Sequence, residues 1–402
     1  MSKPLPTIAM ISSERFPHHN TNTQQVIKNL NGLHQIGMDV ELIIPGNIQS
    51  FFNPKYDQAK AIAEYYNVSK DLKIKVLKTV PTSGLKLEKF FHSFFATLYA
   101  TFSNRYDLIY SRNKFAVLLA FFLGKKIMFE TYRRLGDESP RLMKWAGRKS
   151  RSNKFIGMVL HSNVAAESML RAGFSKEKLL VLHNGVDNSD MLPILSKMEA
   201  RQKLNLDVNA KYVVYTGNMQ KNKCIESLVD IAAHLPDLTF LLVGGKPEDI
   251  ARLTAYCEAK NVKNVLLVER LPINEVSPYL YAADALIIPP VSAPMEKFGR
   301  TVLPFKLFPY LAAGRPIIAP NLADIRELIQ HGKSGLLVNP DDAAQNAEAI
   351  RALFSDERMQ EKLAANAAET SRSLTWEARA EKFRNWVLGI RNWKPQFPIP
   401  NS

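Results

Sequence analysis

The chain has 402 residues, of which 46% are hydrophobic and 23% charged; this make-up belongs to a folded globular protein and excludes a disordered or fibrous one. The length exceeds what one core usually organises and predicts two domains of about half the chain each. Two cysteines, Cys224 and Cys257, at a spacing that suits no metal motif, give no support to a disulfide framework or a zinc site. The formal charge of +15 sits mostly in the first half: Lys and Arg minus Asp and Glu is 27 − 15 = +12 over residues 1–190 and 26 − 23 = +3 over the rest. An anionic partner follows.

The opening MSKPLPTIAMIS turns apolar too soon and too briefly for a signal peptide, and no window reaches the ~20 apolar residues of a spanning helix. A cytoplasmic protein, at most peripheral on the inner face of the membrane, is expected. Short apolar, β-branched runs then alternate with helical patterns: TIAMIS (7–12), VELIIP (40–45), LIYSR (108–112), KIMFET (126–131), GMVLHS (157–162) and LLVLHN (179–184). This alternation predicts βαβ units. Between the second and third runs, residues 85–102 bring Phe90, Phe91, Phe94, Phe95, Leu98 and Phe102 to one helical face. Such a stripe reads first as a face packed on the sheet, and second as a membrane-facing helix. Residues 133–154, with eight basic residues against two acidic ones, are the better candidate for an anionic membrane surface, set against a plain solvated helix and loop. The histidines are scattered; His18 and His19 lie in a polar loop and are assigned no catalytic role.

A strandless stretch, 188–206, separates this series from a second: YVVYTG (212–217), FLLVGG (240–245), VLLVER (265–270), ALIIPP (285–290), PIIAPN (316–321) and GLLVNP (335–340). The expected fold class is therefore α/β, two Rossmann-like, doubly wound parallel-sheet domains over residues 1–190 and 205–375 facing a cleft. An amphipathic closing helix in 376–402 could return to the first domain. In VVYTGNMQKNK an apolar strand ends at Gly217, and a loop with Lys221 and Lys223 leads to a helix, where free N–H groups, the helix dipole and a cation favour phosphate. An ordinary strand-to-helix turn with solvated lysines fits the same residues. EKFGRTVLPFK gathers Gly299, Arg300, Thr301 and Lys306 near another helix start, or forms a Pro-bounded loop with exposed charges. Two anion sites suit a diphosphate. Pro309, inside an apparent helix ending at Gly314, costs ~3 kcal/mol in a helix interior unless the helix starts near Lys306, which places the proline in the first turn.

The ordered set VLHNGVD (181–187), YTGN with Lys223, FLLVGG, AADALIIPP, FGRTVLPFKLFPYLAAGRPII and HGKSGLLVNPDD resembles the group 1 glycosyltransferases, the retaining family four with the GT-B fold; FPHHNTNTQQVIKNLNGLHQIGMDVELIIP, DLIYSRN and IMFET resemble its first half less specifically. The resemblance implies a nucleotide-diphosphate sugar donor held mainly by the second domain, and no cofactor and no metal; the chain has no Asp-x-Asp pair. By position it implies donor contacts from Gly217, Asn218, Lys223, Arg270, Gly299, Arg300, Thr301, Val302, Leu303 and Lys306, with Lys223, Glu296 and Thr301 as the candidate catalytic groups. Asn20, Thr21, Asn22 and Thr23, with Arg112 and Tyr132, take the acceptor side.

Departures accompany the match. Where the family usually has a ribose-binding glutamate this chain has Pro309; the acid eight residues earlier is Thr301, with Glu296 as a shifted substitute. A phosphate-binding arginine is replaced by Asn218 and a first-domain histidine by Tyr132. The leading expectation is a metal-independent retaining transferase acting on a lipid-linked or cell-envelope glycan acceptor. The alternative is a non-catalytic protein of the same fold that binds a nucleotide, a membrane or a partner subunit. Nucleic acid is disfavoured, because no basic motif is interleaved with aromatics and no reading module is recognisable.

Overall fold

The computed structural model describes residues 5–82, 86–292 and 303–389. The chain forms two compact units: one runs to Gly185 and resumes at Trp376, and the other spans Val186–Thr375. The stretch 188–206 belongs to the second unit, as a short turn at Asn188–Met191 and a helix at Lys197–Lys203 started by a Ser196/Glu199 capping box.

The first unit is built on a seven-stranded, all-parallel sheet of β1 (Ile8–Ile11), β2 (Val40–Asn47), β3 (Ile74–Thr82), β4 (Leu108–Ser111), β5 (Ile127–Thr131), β6 (Phe155–Leu160) and β7 (Leu179–Val181), in the order β3-β2-β1-β4-β5-β6-β7. Six of these are the apolar runs of the sequence; β1, β4, β5 and β6 are buried on both faces, as the inner strands of a parallel sheet must be, and the edge strand β7 is half-buried. The exception is β3, which the apolar pattern does not announce. Lys75 and Lys78 are exposed along it, because an edge strand covers the core with one side only.

One face of this sheet is covered by the helices Thr21–Gln35 and Trp376–Gly389, the latter contributing Ala380, Phe383 and Val387 to the core around Ile8, Leu42 and Met128. The two helices meet closely: a Cβ on Gly32 would lie 2.6 Å from the carbonyl oxygen of Trp376, so only glycine fits there. The other face is covered by Lys86–Phe102, Lys114–Phe122 and Asn163–Arg171. On Lys86–Phe102 the expected orientation is reversed. Ala96, Thr97, Ala100 and Thr101 are buried, while Phe90, Phe91, Phe95 and Phe102 are exposed. Small side chains let this helix lie close to β1, β2 and β3, and the phenylalanines point away from the core.

The second unit has a six-stranded parallel sheet of β8 (Tyr212–Thr216), β9 (Thr239–Gly245), β10 (Val265–Glu269), β11 (Ala285–Ile287), β12 (Ile317–Pro320) and β13 (Leu336–Val338), in the order β10-β9-β8-β11-β12-β13. In both sheets the strand order reverses beside the first strand, between β1 and β4 and between β8 and β11. The carboxyl ends at such a reversal form a ligand crevice in open α/β sheets.

Candidate functional site

At the β8/β11 reversal the strand ends on Gly217, whose φ of +136° lies in the region glycine favours. A Cβ there would also stand 3.0 Å from Nζ of Lys306. Lys306 is the cap residue of the helix Leu307–Ala312, and its ammonium lies 3.5 Å from the centroid of the Tyr215 ring, a cation–π arrangement. The Tyr215 hydroxyl in turn donates to the carbonyl of Asn218 at 2.7 Å. Burial pushes the Lys306 ammonium well below its ordinary pKa, and the positive charge of Lys223 adds to the effect. Burial also lowers Lys223. Two cations that share a partly dry strand end, with no carboxylate paired to either among the described residues, form an electrostatic arrangement that an anion relieves.

The short helix is fixed by Tyr310, whose buried hydroxyl accepts the N–H of Thr216 at 2.7 Å. This bond ties the helix carrying Lys306 to the last residue of β8. Pro309 is the third helical residue. Because the helix starts at Leu307, the missing donor falls in the first turn, while the Pro309 carbonyl still accepts Ala313 N–H at 2.9 Å.

Of the donor-side candidates, the fold brings Gly217, Asn218, Lys223 and Lys306 together. Leu303 is buried in the core of the second unit. Arg270 follows the edge strand β10, its N–H bonded to the carbonyl of Gly245, two strands away from β8. Glu296, Gly299, Arg300, Thr301 and Val302 lie outside the described residues. Sequence reasoning missed Tyr215 and Tyr310; the available signal was a tyrosine within an otherwise aliphatic strand and another just after the helix proline.

In the first unit, a cavity of about 260 Å³ opens at the β1/β4 reversal, lined by Ser12, Ser13, Asn22, Arg112, Asn113 and Lys114 among others. Asn20 caps the helix Thr21–Gln35 without a side-chain bond of its own. Thr21 is exposed at its first position, and the Thr23 hydroxyl donates within the turn, 2.7 Å from the Asn20 carbonyl. Asn22 reaches the cavity with its Oδ1 unpartnered among the described residues. Arg112 donates from Nη1 to Gln25 at 2.9 Å, stacks 5.6 Å from the Tyr132 ring and leaves Nη2 without a partner. Burial lowers its pKa to about 10.

Behind this cavity is a hub that sequence reasoning missed. Glu130, at the end of β5, takes a 2.6 Å hydrogen bond from His161 and a 3.1 Å bond from Arg379 of the C-terminal helix, and Tyr110 donates to its other oxygen. Arg379 also donates to Asn29. Burial acts to raise the Glu130 pKa, but the Arg379 charge and the bonds from His161 and Arg379 outweigh it and leave it below its ordinary value. His161 is pushed down to about 4 by burial, against the pull of Glu130. The state is an ionised Glu130 with a neutral imidazole whose Nε2–H donates.

A family model described as "Glycosyl transferases group 1" matches residues 210–356. A sulfoquinovosyl transferase of Arabidopsis thaliana is 27% identical over 265 residues, 60% of this chain and 49% of its own. A D-inositol 3-phosphate glycosyltransferase of Pseudarthrobacter chlorophenolicus is 29% identical over 229 residues, 54% of this chain and 52% of its own. The chain thus spans about half the length of the curated relatives it matches. Among solved structures, HepE of Anabaena in complex with UDP-glucose superposes with a TM-score of 0.70 at 17% identity, covering 94% of this chain and 98% of that one. Residues 210–356 are thus similar to the group 1 glycosyltransferases, and the chain carries the two-domain GT-B fold.

Proposed function

We propose that the chain is a metal-independent, retaining glycosyltransferase that moves a sugar from a nucleotide-diphosphate donor to a lipid-linked or cell-envelope glycan acceptor. The observation that carries this reading is the pair Lys223 and Lys306 at the β8/β11 reversal, with Lys306 over the Tyr215 ring, its helix tied to β8 by Tyr310, and neither lysine paired with a carboxylate among the described residues. The HepE structure with UDP-glucose supports the donor class.

Transfer breaks the bond between the anomeric carbon and the diphosphate and builds negative charge on the departing oxygen. The two ammonium groups stabilise that charge in a site of low dielectric, where each is worth more than in water. The leaving diphosphate takes the acceptor hydroxyl proton on the face it leaves, so the anomeric configuration is retained and no protein nucleophile is needed. The cavity of the first unit, with Asn22 and Arg112, receives the acceptor.

Incubation with a panel of nucleotide sugars and glycan acceptors tests the reading. Release of nucleoside diphosphate that depends on both substrates, with a product retaining the donor's anomeric configuration by NMR, is the expected result; an inverted product overturns the mechanism. A second reading, nucleotide binding without transfer, is favoured by Pro309 and Asn218 standing where the family usually has a glutamate and an arginine. Donor binding without turnover across the panel would select it.

A further inference from the structure

Three helices of the first unit present one continuous apolar face to solvent. On Lys86–Phe102 the exposed residues are Leu87, Phe90, Phe91, Phe95 and Phe102, the last 68% accessible, whereas Glu88, His92 and Ser93 are buried. This is the opposite of a helix that merely covers a sheet. The face continues across Lys114–Phe122, because the Phe90 and Phe115 rings lie 4.4 Å apart and Phe122 is 67% exposed. It continues again to Pro140–Lys149, where Trp145 lies 6.5 Å from Phe122 and Leu142 is exposed. Clusters of this kind mark an interaction surface, whereas single exposed apolar residues do not.

Charge decides the occupant. Arg141, Lys144, Arg148 and Lys149 are exposed on the third helix, and none pairs with a carboxylate among the described residues. A second copy of the chain would bring these cations against their own kind. An anionic bilayer supplies both an apolar layer for the rings and phosphates for the cations. Among the described residues no helix is long and apolar enough to cross a membrane, so the contact is one of lying on the surface.

We propose that this aromatic face, bordered by the basic helix Pro140–Lys149, docks the protein on an anionic lipid surface, with the rings of Phe91, Phe95 and Phe122 entering the headgroup boundary. The proposal goes beyond the transferase reading and does not depend on it. Transfer activity can fail while docking stands, and the reverse holds too.

The test is sedimentation of the full chain with vesicles of phosphatidylcholine alone or with 30% phosphatidylglycerol. Wild type should bind the phosphatidylglycerol vesicles and be released by salt. The combined variant Phe91→Gln, Phe95→Gln and Phe122→Gln, which removes only exposed rings, should bind at least tenfold more weakly with an unchanged circular dichroism spectrum. Each charge near an anionic surface is worth about fivefold, so Lys144→Gln, Arg148→Gln and Lys149→Gln together should cost roughly a hundredfold. If the aromatic variant fails to fold, quenching of wild-type fluorescence by brominated lipid, reduced in Trp145→Phe, carries the same information. Equal binding to both vesicle types, no loss in the aromatic variant or no quenching at Trp145 overturns the proposal. So does dimerisation in light scattering that the aromatic substitutions abolish while vesicles do not bind.

Discussion

Replacing Lys306 by methionine separates binding from stability. The Lys306 ammonium lies 3.5 Å over Tyr215 and beside Gly217, with its charge disfavoured first by burial and then by Lys223. Methionine keeps the length of the side chain and places a thioether near the ring, an acceptable contact. The Lys306→Met protein should therefore melt at the same temperature as wild type or higher. It should also bind a nucleoside diphosphate more weakly, because a charge-assisted contact to phosphate is worth about 1.5–3 kcal/mol, or roughly 10- to 150-fold in Kd at 1.4 kcal/mol per decade. A pH signature accompanies the loss. The free-state pKa is depressed and the bound diphosphate favours the charged form, so wild type takes up a proton on binding near or above that depressed pKa, and affinity falls as pH rises through it. Calorimetric titration in two buffers of different ionisation enthalpy measures the uptake. An unchanged Kd, or a melting temperature several degrees lower, would refute the reasoning.

Three further outcomes are expected. Pro309→Glu should not tighten nucleotide binding, because a site that retains Lys223 and Lys306 is organised around the proline, and the added carboxylate would be desolvated without a partner; tighter binding by titration would point to a decayed ribose site. Arg379→Met should destabilise the first unit by about 3–5 kcal/mol in denaturant unfolding, since it leaves Glu130 as a buried charge without its cation. His92 and His161 are each held near pKa 4 by burial. The unfolded chain binds their protons from about pH 6.5 downward, so stability should fall as pH drops from about 6.5 to 4, by at most ~3 kcal/mol each; a flat stability profile over that range would contradict their burial as neutral groups.

Much of the architecture was legible because the inner strands of a parallel sheet, buried on both faces, read as unbroken apolar runs; twelve apolar runs became strands, the half-exposed edges β7 and β10 among them. The thirteenth, β3, was hidden by Lys75 and Lys78, which an edge strand tolerates. The helix Lys86–Phe102 shows a different limit: periodicity tells which residues share a face, but not whether that face meets the core. Here the alanines and threonines do, and the phenylalanines do not. At the candidate site, the turn at Gly217 and the lysines around it were visible as local patterns. The Glu130 hub was not, because Arg379 lies 249 positions away from Glu130 and only the return of the last helix joins them.

That return bears on how the two ends of the proposed reaction are built. Within the first unit, Arg112 and Glu130 both line the cavity at the β1/β4 reversal, and Arg379 pairs with Glu130 at 3.1 Å. His161 adds no charge, being neutral, while Lys89 and Glu14, also lining the cavity, pair at 2.7 Å and cancel. One guanidinium charge is left over beside the ammonium of Lys114, which also lines the cavity, and Arg112 keeps an Nη2–H free of any partner among the described residues. The second unit repeats the logic with Lys223 and Lys306 at its own reversal. Each sheet thus ends in a surplus of positive charge where burial makes that charge costly. Under the proposed function both have a use: one set of cations meets the diphosphate that must leave, and the other meets an electron-rich acceptor.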